Sequence, residues 1–247
     1  EADDAGTLDE VTMTATMRGG ISGGTIDSMR TMVDAMKADP SQRKVVGDPF
    51  TLSPDRPAET SVRQPSDTPR PGRRETGWTA PFVMAAYNTR IVRRSNALLD
   101  WAYGRDLRYG EVMGTGSGVA GPLTAVGVTA GLVAMAGGMS FGPARPLLDR
   151  LLPKPGEGPS VEAREKGWFR HDVRAVTTSG RHYRAIVAGP GDPGYKATAV
   201  MFAESALSLA LDDLPARAGC LTPAVAMGDA LVDRLRAAGH TYDVTAL

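Results

Sequence analysis

The sequence predicts an α+β fold, a mixed β-sheet with helices packed on one face, and three stretches carry that prediction. In "VTMTATMR", Val11, Met13, Ala15 and Met17 alternate with Thr12, Thr14, Thr16 and Arg18, the period-two pattern of a strand with one buried face. Directly after it, Ile26, Met29, Met32, Val33 and Met36 recur at helical spacing. Further on, "FRHDVRAVTTSGRHYRAIVAG" holds two β-rich runs around Ser179 and Gly180, a hairpin signature. A strand-to-helix unit and a hairpin in one chain call for a sheet with both parallel and antiparallel pairs.

The remaining elements follow in order. "GGISGGT" turns the chain sharply, Thr25 is placed to cap the first helix, and Pro40 ends its pattern. Across 38–77 periodicity disappears among Pro40, Pro49, Pro54, Pro57, Pro65, Pro69 and Pro71, which predicts a long, partly mobile excursion. A short apolar run at 82–84 leads through Asn88 into a helix carrying Ile91, Leu98, Leu99 and Ala102, and "LRYGEVM" reads as another strand. Arg145, Arg150 and Lys154 set against Leu147, Leu148, Leu151 and Leu152 predict a short basic amphipathic helix, stopped by Pro153 and Pro155. Ser160 caps "VEAREKGWF"; Asp192 and Pro193 fit an N-cap and first helical position for the Ala-rich helix that follows. "TPAVAMGDALVDRLRAAG" adds a helix and "TYDVT" a last strand.

Composition narrows the function classes. With 28 basic and 28 acidic side chains the formal charge is zero, so no nucleic-acid partner is expected. Cys220 is the single cysteine, which excludes an internal disulfide; with His171, His182 and His240 it also lacks the ligand spacing of a metal site, so no metal is expected. The three histidines and Cys220 read as structural or solvated groups. A reducing cytoplasm fits this cysteine usage, and the start "EADDAGTLDE" reads as a cut inside something longer.

The stretch 112–144 carries no charged residue, and inside it Gly116, Gly118 and Gly121 spell G-x-G-x-x-G. A dinucleotide loop needs a buried β-branched strand before the glycines, a helix at once after the first, and an acid about 20 residues on. Here "RDLRYGEVM" is polar, Pro122 follows the last glycine, and the first acid is Asp149, so the loop reading is set aside. The segment 112–152 is expected to be apolar and helical. Three readings of it stay open: a buried or interfacial helical hairpin, a peripheral membrane contact flanked by Arg105, Arg108, Arg145, Arg150 and Lys154, and, behind both, a true membrane span.

Several phrases together resemble one family, the saccharopine dehydrogenase-like oxidoreductases, and within it the actinobacterial trans-acting enoyl reductases. They are "GGISGGTIDSM", "NTRIVRRSNALLDWAYG", "LPKPGEGPS", "GDPGYKATAVMFAESALSLAL" and "LTPAVAMGDALVDRL". The resemblance implies an N-terminal Rossmann domain holding NAD(P)H, followed by an α+β domain that shapes the substrate site. It places 1–247 in that second part, with the Rossmann domain missing, so this piece alone is expected to be inactive and not to bind NAD(P)H. It further implies reduction of polyketide or lipid enoyl thioesters, an acyl carrier protein or polyketide synthase as partner, a homodimer, and a cytoplasmic site at the inner face of the plasma membrane. A reading from another class makes the chain a non-catalytic lipid- or partner-binding module.

Site candidates follow. Ser22, Gly23, Gly24 and Thr25 lie where a helix start can hold a phosphate or carboxylate, or serve as a plain turn and cap. Behind Asn88, the residues Arg90, Arg93 and Arg94 share a helix face, which suits a phosphopantetheine phosphate or an acidic carrier protein as well as it suits solvent. Tyr195 and Lys196 offer a proton donor and a cation near a polarised carbonyl, against the simpler reading of a helix entrance.

Overall fold

The computed structural model describes residues 6–20, 23–65, 72–74, 77–154 and 156–247; Ser22 among the candidates lies outside them. Strand β1 (Leu8–Arg18) is followed by helices α1 (Gly23–Ala38) and α2 (Pro40–Gly47), strands β2 (Gly72–Arg74) and β3 (Gly77–Pro81), and helix α3 (Ala85–Leu98). Next come β4 (Arg108–Gly116), α4 (Gly121–Ser140), α5 (Arg145–Leu151) and α6 (Val161–Glu165). The chain closes with β5 (Trp168–Thr177), β6 (His182–Pro190), α7 (Lys196–Leu211), α8 (Pro223–Ala226), α9 (Gly228–Ala237) and β7 (Thr241–Ala246).

The strands form one sheet in the order β2-β3-β4-β1-β5-β6-β7, with β1 and β4 parallel and the other pairs antiparallel. The sheet is therefore mixed, as the sequence predicts. Its register puts Met13 opposite Glu111 on one side and Val173 on the other, and Ala15 opposite Met113 and His171. Met13 and Ala15 form a core cluster with Phe82 and Ala85 at the entrance to α3. Fully burying a side chain the size of Met13 or Phe82 stabilises by roughly 1.5–3 kcal/mol. Helix α9 covers the same face farther out, where its Val232 and Arg236 border a cleft with Ala185, Val187 and Val244. The opposite face presents the threonines of β1 beside Arg170, Asp172 and Arg174, and Asp172 is gripped by both Arg174 and Arg184.

The structure corrects several sequence expectations. Helix α1 begins at Gly23, so Thr25 sits inside its first turn rather than at the cap. Pro40 ends α1 but also opens α2, because a proline at the first helical position has no N–H to lose; Asp39 caps that helix by accepting from Ser41 N at 2.8 Å. The excursion 38–77 therefore contains a helix, and its course along α3 is tied by side chains described below. Residues 112–116 are not helical: they finish β4, and one 20-residue helix follows in place of a hairpin. The Ala-rich helix α7 begins at Lys196, with Asp192 and Pro193 in the turn before it. His240 is buried against Phe169, in keeping with the structural one of its two sequence readings.

Helix α4 rests on β3 with Gly121, Ala125, Thr129 and Met139 buried, and turns the rest of its apolar surface outward. Its long apolar stretch is only 17% buried, and Val119 and Leu123 at its entrance are 98% and 77% exposed.

Candidate functional site

Where β1 ends, three loops close on one another. Gly19 lies so close to Pro193 that an added Cβ would come within 2.9 Å of its Cδ, and Gly20 is packed equally tightly on Pro159. Gly191 N donates to Gly167 O and Asp192 N to Arg164 O, which fastens the turn after β6 to the start of β5 and the end of α6. The carbonyl of Glu157 then joins the parts: it accepts from Gly23 N at 3.0 Å and from the Tyr195 hydroxyl at 3.4 Å. Gly158 makes room for the Tyr195 ring, since a Cβ there would approach three ring and hydroxyl atoms at 2.8 Å. The α1 N-terminus and Tyr195, far apart in sequence, are thus held by one loop.

Beside that junction Gly23, Ile26, Asp27, Arg30, Leu152 and Lys154 border a cavity of about 250 Å³. The helix start, Arg30 and Lys154 bring positive charge there, set against the one carboxylate of Asp27. Sequence reasoning named Gly23 to Thr25 and Tyr195 but missed Arg30, Glu157 and Gly158, whose roles come from loop closure that no local spacing encodes.

Asp192 is fully buried, and its carboxylate is spent on the helix entrance. Its oxygens accept from the N–H groups of Gly194, Tyr195 and Lys196, each at 3.1 Å. That saturated carboxylate is a cap, and it fixes the turn from which the Tyr195 ring reaches Gly158 and Glu157. Lys196 pairs with Glu165.

The second group of candidates is not brought to this junction. Asn88 donates to Glu111 Oε2 at 3.0 Å, next to the Tyr109 hydroxyl that donates to Oε1 at 2.9 Å. Burial and the Glu111 carboxylate push the Tyr109 phenol far above its usual range, so it stays protonated as a donor. Arg90 reaches the carbonyls of Asp48, Ala86 and Val46. Arg93, 5% exposed, donates to Gln64 Oε1 and to the carbonyls of Pro49 and Tyr109. Arg94 reaches the carbonyls of Leu52 and Cys220. The three arginines lash the excursion 46–64 to α3 instead of forming one solvated face.

The glycine turn between β4 and α4 follows the strand that the sequence predicts and leads into a helix, which starts only at Gly121 and not directly after Gly116. It still does not suit a dinucleotide. Gly121 N is taken by Gly118 O at 2.9 Å, Pro122 has no N–H, and Thr124 N is taken by Ala120 O, so the helix entrance has few donors left for a pyrophosphate. No acid follows until Asp149. Among the described residues no cluster of His, Cys, Asp and Glu has the makings of a metal site.

No family model and no solved structure matches the chain. Curated relatives do. A Mycobacterium tuberculosis (strain H37Rv) protein provisionally named as a trans-acting enoyl reductase is 48% identical over 262 residues, 99% of this chain and 61% of its own length. A trans-acting enoyl reductase of Mycobacterium bovis (strain BCG) is 44% identical, covering 92% of this chain and 57% of the relative. One of Mycobacterium ulcerans is 43% identical, covering 92% and 56%. The chain spans about three fifths of the length of these relatives, and over that span it is similar to proteins named trans-acting enoyl reductases.

Proposed function

We propose that this chain is the substrate-side portion of an NAD(P)H-dependent enoyl reductase of the saccharopine dehydrogenase-like type, acting in trans on polyketide or lipid enoyl thioesters. The observation that carries the reading is the junction at Glu157, where the α1 N-terminus and Tyr195 meet beside a cationic cavity, within a chain so similar to proteins of that name. In this reading the N-terminal turn of α1, Arg30 and Lys154 draw electron density toward a thioester carbonyl oxygen or hold the phosphate of its carrier arm. Tyr195 delivers a proton to the substrate carbon next to the carbonyl. The cofactor is held by a Rossmann domain outside this chain; the glycine turn before α4, in support, lacks the donors and the acid for it. An acyl carrier protein or polyketide synthase presents the substrate, a homodimer is the working assembly, and the cytoplasmic face of the plasma membrane is the working place.

The test uses the full-length protein with NADPH and an enoyl thioester, following loss of the nicotinamide absorbance. The expected result is thioester-dependent oxidation that falls about 100-fold in Tyr195→Phe, the size of a lost general acid. Absence of thioester-dependent oxidation overturns the reading, and full activity of Tyr195→Phe removes Tyr195 from it.

The exposed apolar surface of α4 favours a second reading, a non-catalytic module that contacts lipid or a partner. Flotation with anionic liposomes tests its lipid form, which fails if this chain stays in the dense fraction at every salt, and thioester-dependent NADPH oxidation by the full-length protein removes the non-catalytic reading.

A further inference from the structure

Between the excursion and α3 lies a cleft of about 730 Å³, a volume in the range of small-ligand sites. Its lining holds apolar side chains, Val46, Pro49 and Phe50 among them, neutral polar groups from the 60–64 stretch, and three arginines, Arg56, Arg63 and Arg90, with no carboxylate among the lining residues. Arg90 is fixed by bonds to main-chain carbonyls, which orient its charge without cancelling it. Arg56 shares the carboxylate of Asp48, whose pKa both Arg56 and Arg90 help to lower, so one nearby anion serves two cations. Arg63 is exposed and pairs with no described residue. Arg56 is half exposed and Arg63 exposed, so their charge is open to an anion that enters beside the apolar residues.

We infer that this cleft binds a phosphate ester carrying an apolar arm, the phosphate held by Arg56, Arg63 and Arg90 and the arm laid along Phe50 and Val46. Forked guanidinium groups match phosphate oxygens in pairs, which a free ammonium does not. The site differs from the Glu157 junction in residues and cavity, and it stands whether or not the chain belongs to a reductase.

The test is calorimetric titration of the chain with hexyl phosphate, inorganic phosphate and hexanol, with backbone amide shifts recorded by NMR. Hexyl phosphate is expected to bind about tenfold more tightly than inorganic phosphate, as burial of roughly two methylenes requires. Hexanol is expected to show no binding, and the largest shifts are expected in 46–65. Arg63→Gln, at a side chain that ties nothing in the fold, is expected to weaken hexyl phosphate about tenfold and to weaken the salt dependence. Equal binding of hexanol, an unchanged affinity in Arg63→Gln, or shifts confined to other segments would each overturn the inference.

Discussion

Helices α3 and α4 invert the usual relation between hydropathy and burial. Helix α3 is polar, yet Thr89, Arg93, Ser95 and Asn96 are buried in it. Helix α4 has no charged residue, yet most of its surface faces outward. The difference lies in how each is fastened. A polar helix can be buried when every donor finds an acceptor, and α3 does this with arginines to carbonyls, Ser95 to Ile91 O and Thr222, and Asn96 to the turn beyond it. The apolar α4 makes such ties near its ends, Thr115 to Gly121 O and Lys37 to Ser140 O among them, and is otherwise held by packing on β3, β4, α1 and α5. Burial in α3 is thus secured by hydrogen bonds, while α4 leaves most of its apolar surface facing outward.

The largest expected effect falls on Arg93. Replacing it by Met keeps much of its volume but strands Gln64 and the carbonyls of Pro49 and Tyr109, and removes the guanidinium lying 5.6 Å from the Phe50 ring centroid. Loss of charged hydrogen bonds at a buried position predicts destabilisation of about 3–4 kcal/mol, read from urea unfolding. A loss under about 1 kcal/mol would mean that the excursion is held by other contacts.

Asn96 comes next. Its side chain donates to Gly104 O at 2.8 Å and accepts from Tyr103 N at 2.9 Å, clamping a turn in which Asp100 and Trp101 take positive φ of 53° and 56°. Two successive non-glycine residues in the left-handed region are costly, and the clamp is what keeps them there. Asn96→Ala is expected to lose about 2–3 kcal/mol, with the largest rise in amide exchange at 99–104.

On α4 the expected sign reverses. A Cβ added at Gly127 or Gly131 would meet nothing within 4 Å, so Gly→Ala costs no space and gains helix propensity. Each is expected to stabilise the chain by roughly 0.5–1 kcal/mol in thermal melts. A destabilisation instead would reveal a backbone packed against those glycines in solution, and the apparent exposure of α4 would be wrong.

The sheet was open to sequence reasoning because period-two alternation in β1, β5 and β6 depends on nothing beyond the strand itself. The hairpin turn at Ser179 and Gly180 was equally local, Gly180 taking φ of 82°. Helix α2 was hidden because Pro40 reads as a stop and as a start with the same spelling. The arginine face was misread for a different reason: helical spacing places Arg90, Arg93 and Arg94 on one side, but not what lies opposite, and main-chain carbonyls of a distant segment have no sequence signature. The Glu157 junction was half legible. Its ends, at Gly23 and Tyr195, stood out by glycine turns and capping, while the carbonyl that joins them is a backbone atom any residue supplies.

The smallest expected effect concerns acid, and it separates the two helices without a mutation. Asp48 has its pKa lowered: burial opposes ionisation, but the Arg56 hydrogen bond, the Phe50 N–H and the charges of Arg56 and Arg90 outweigh it. A carboxyl whose folded pKa lies below its unfolded value binds its proton less readily when folded, so it adds stability above the unfolded value and loses it as pH falls through the folded one. Because Asp48 holds one end of the excursion against α3, amide exchange in 46–65 is expected to quicken as pH falls below about 4. The change should be no more than about 1 kcal/mol, given the partial exposure of the Asp48–Arg56 pair. Helix α4 has no ionisable side chain, and its exchange, corrected for intrinsic pH dependence, should not move over the same range. In Asp48→Asn the acid response of 46–65 should vanish; its persistence would assign the response to another carboxyl on the α3 side.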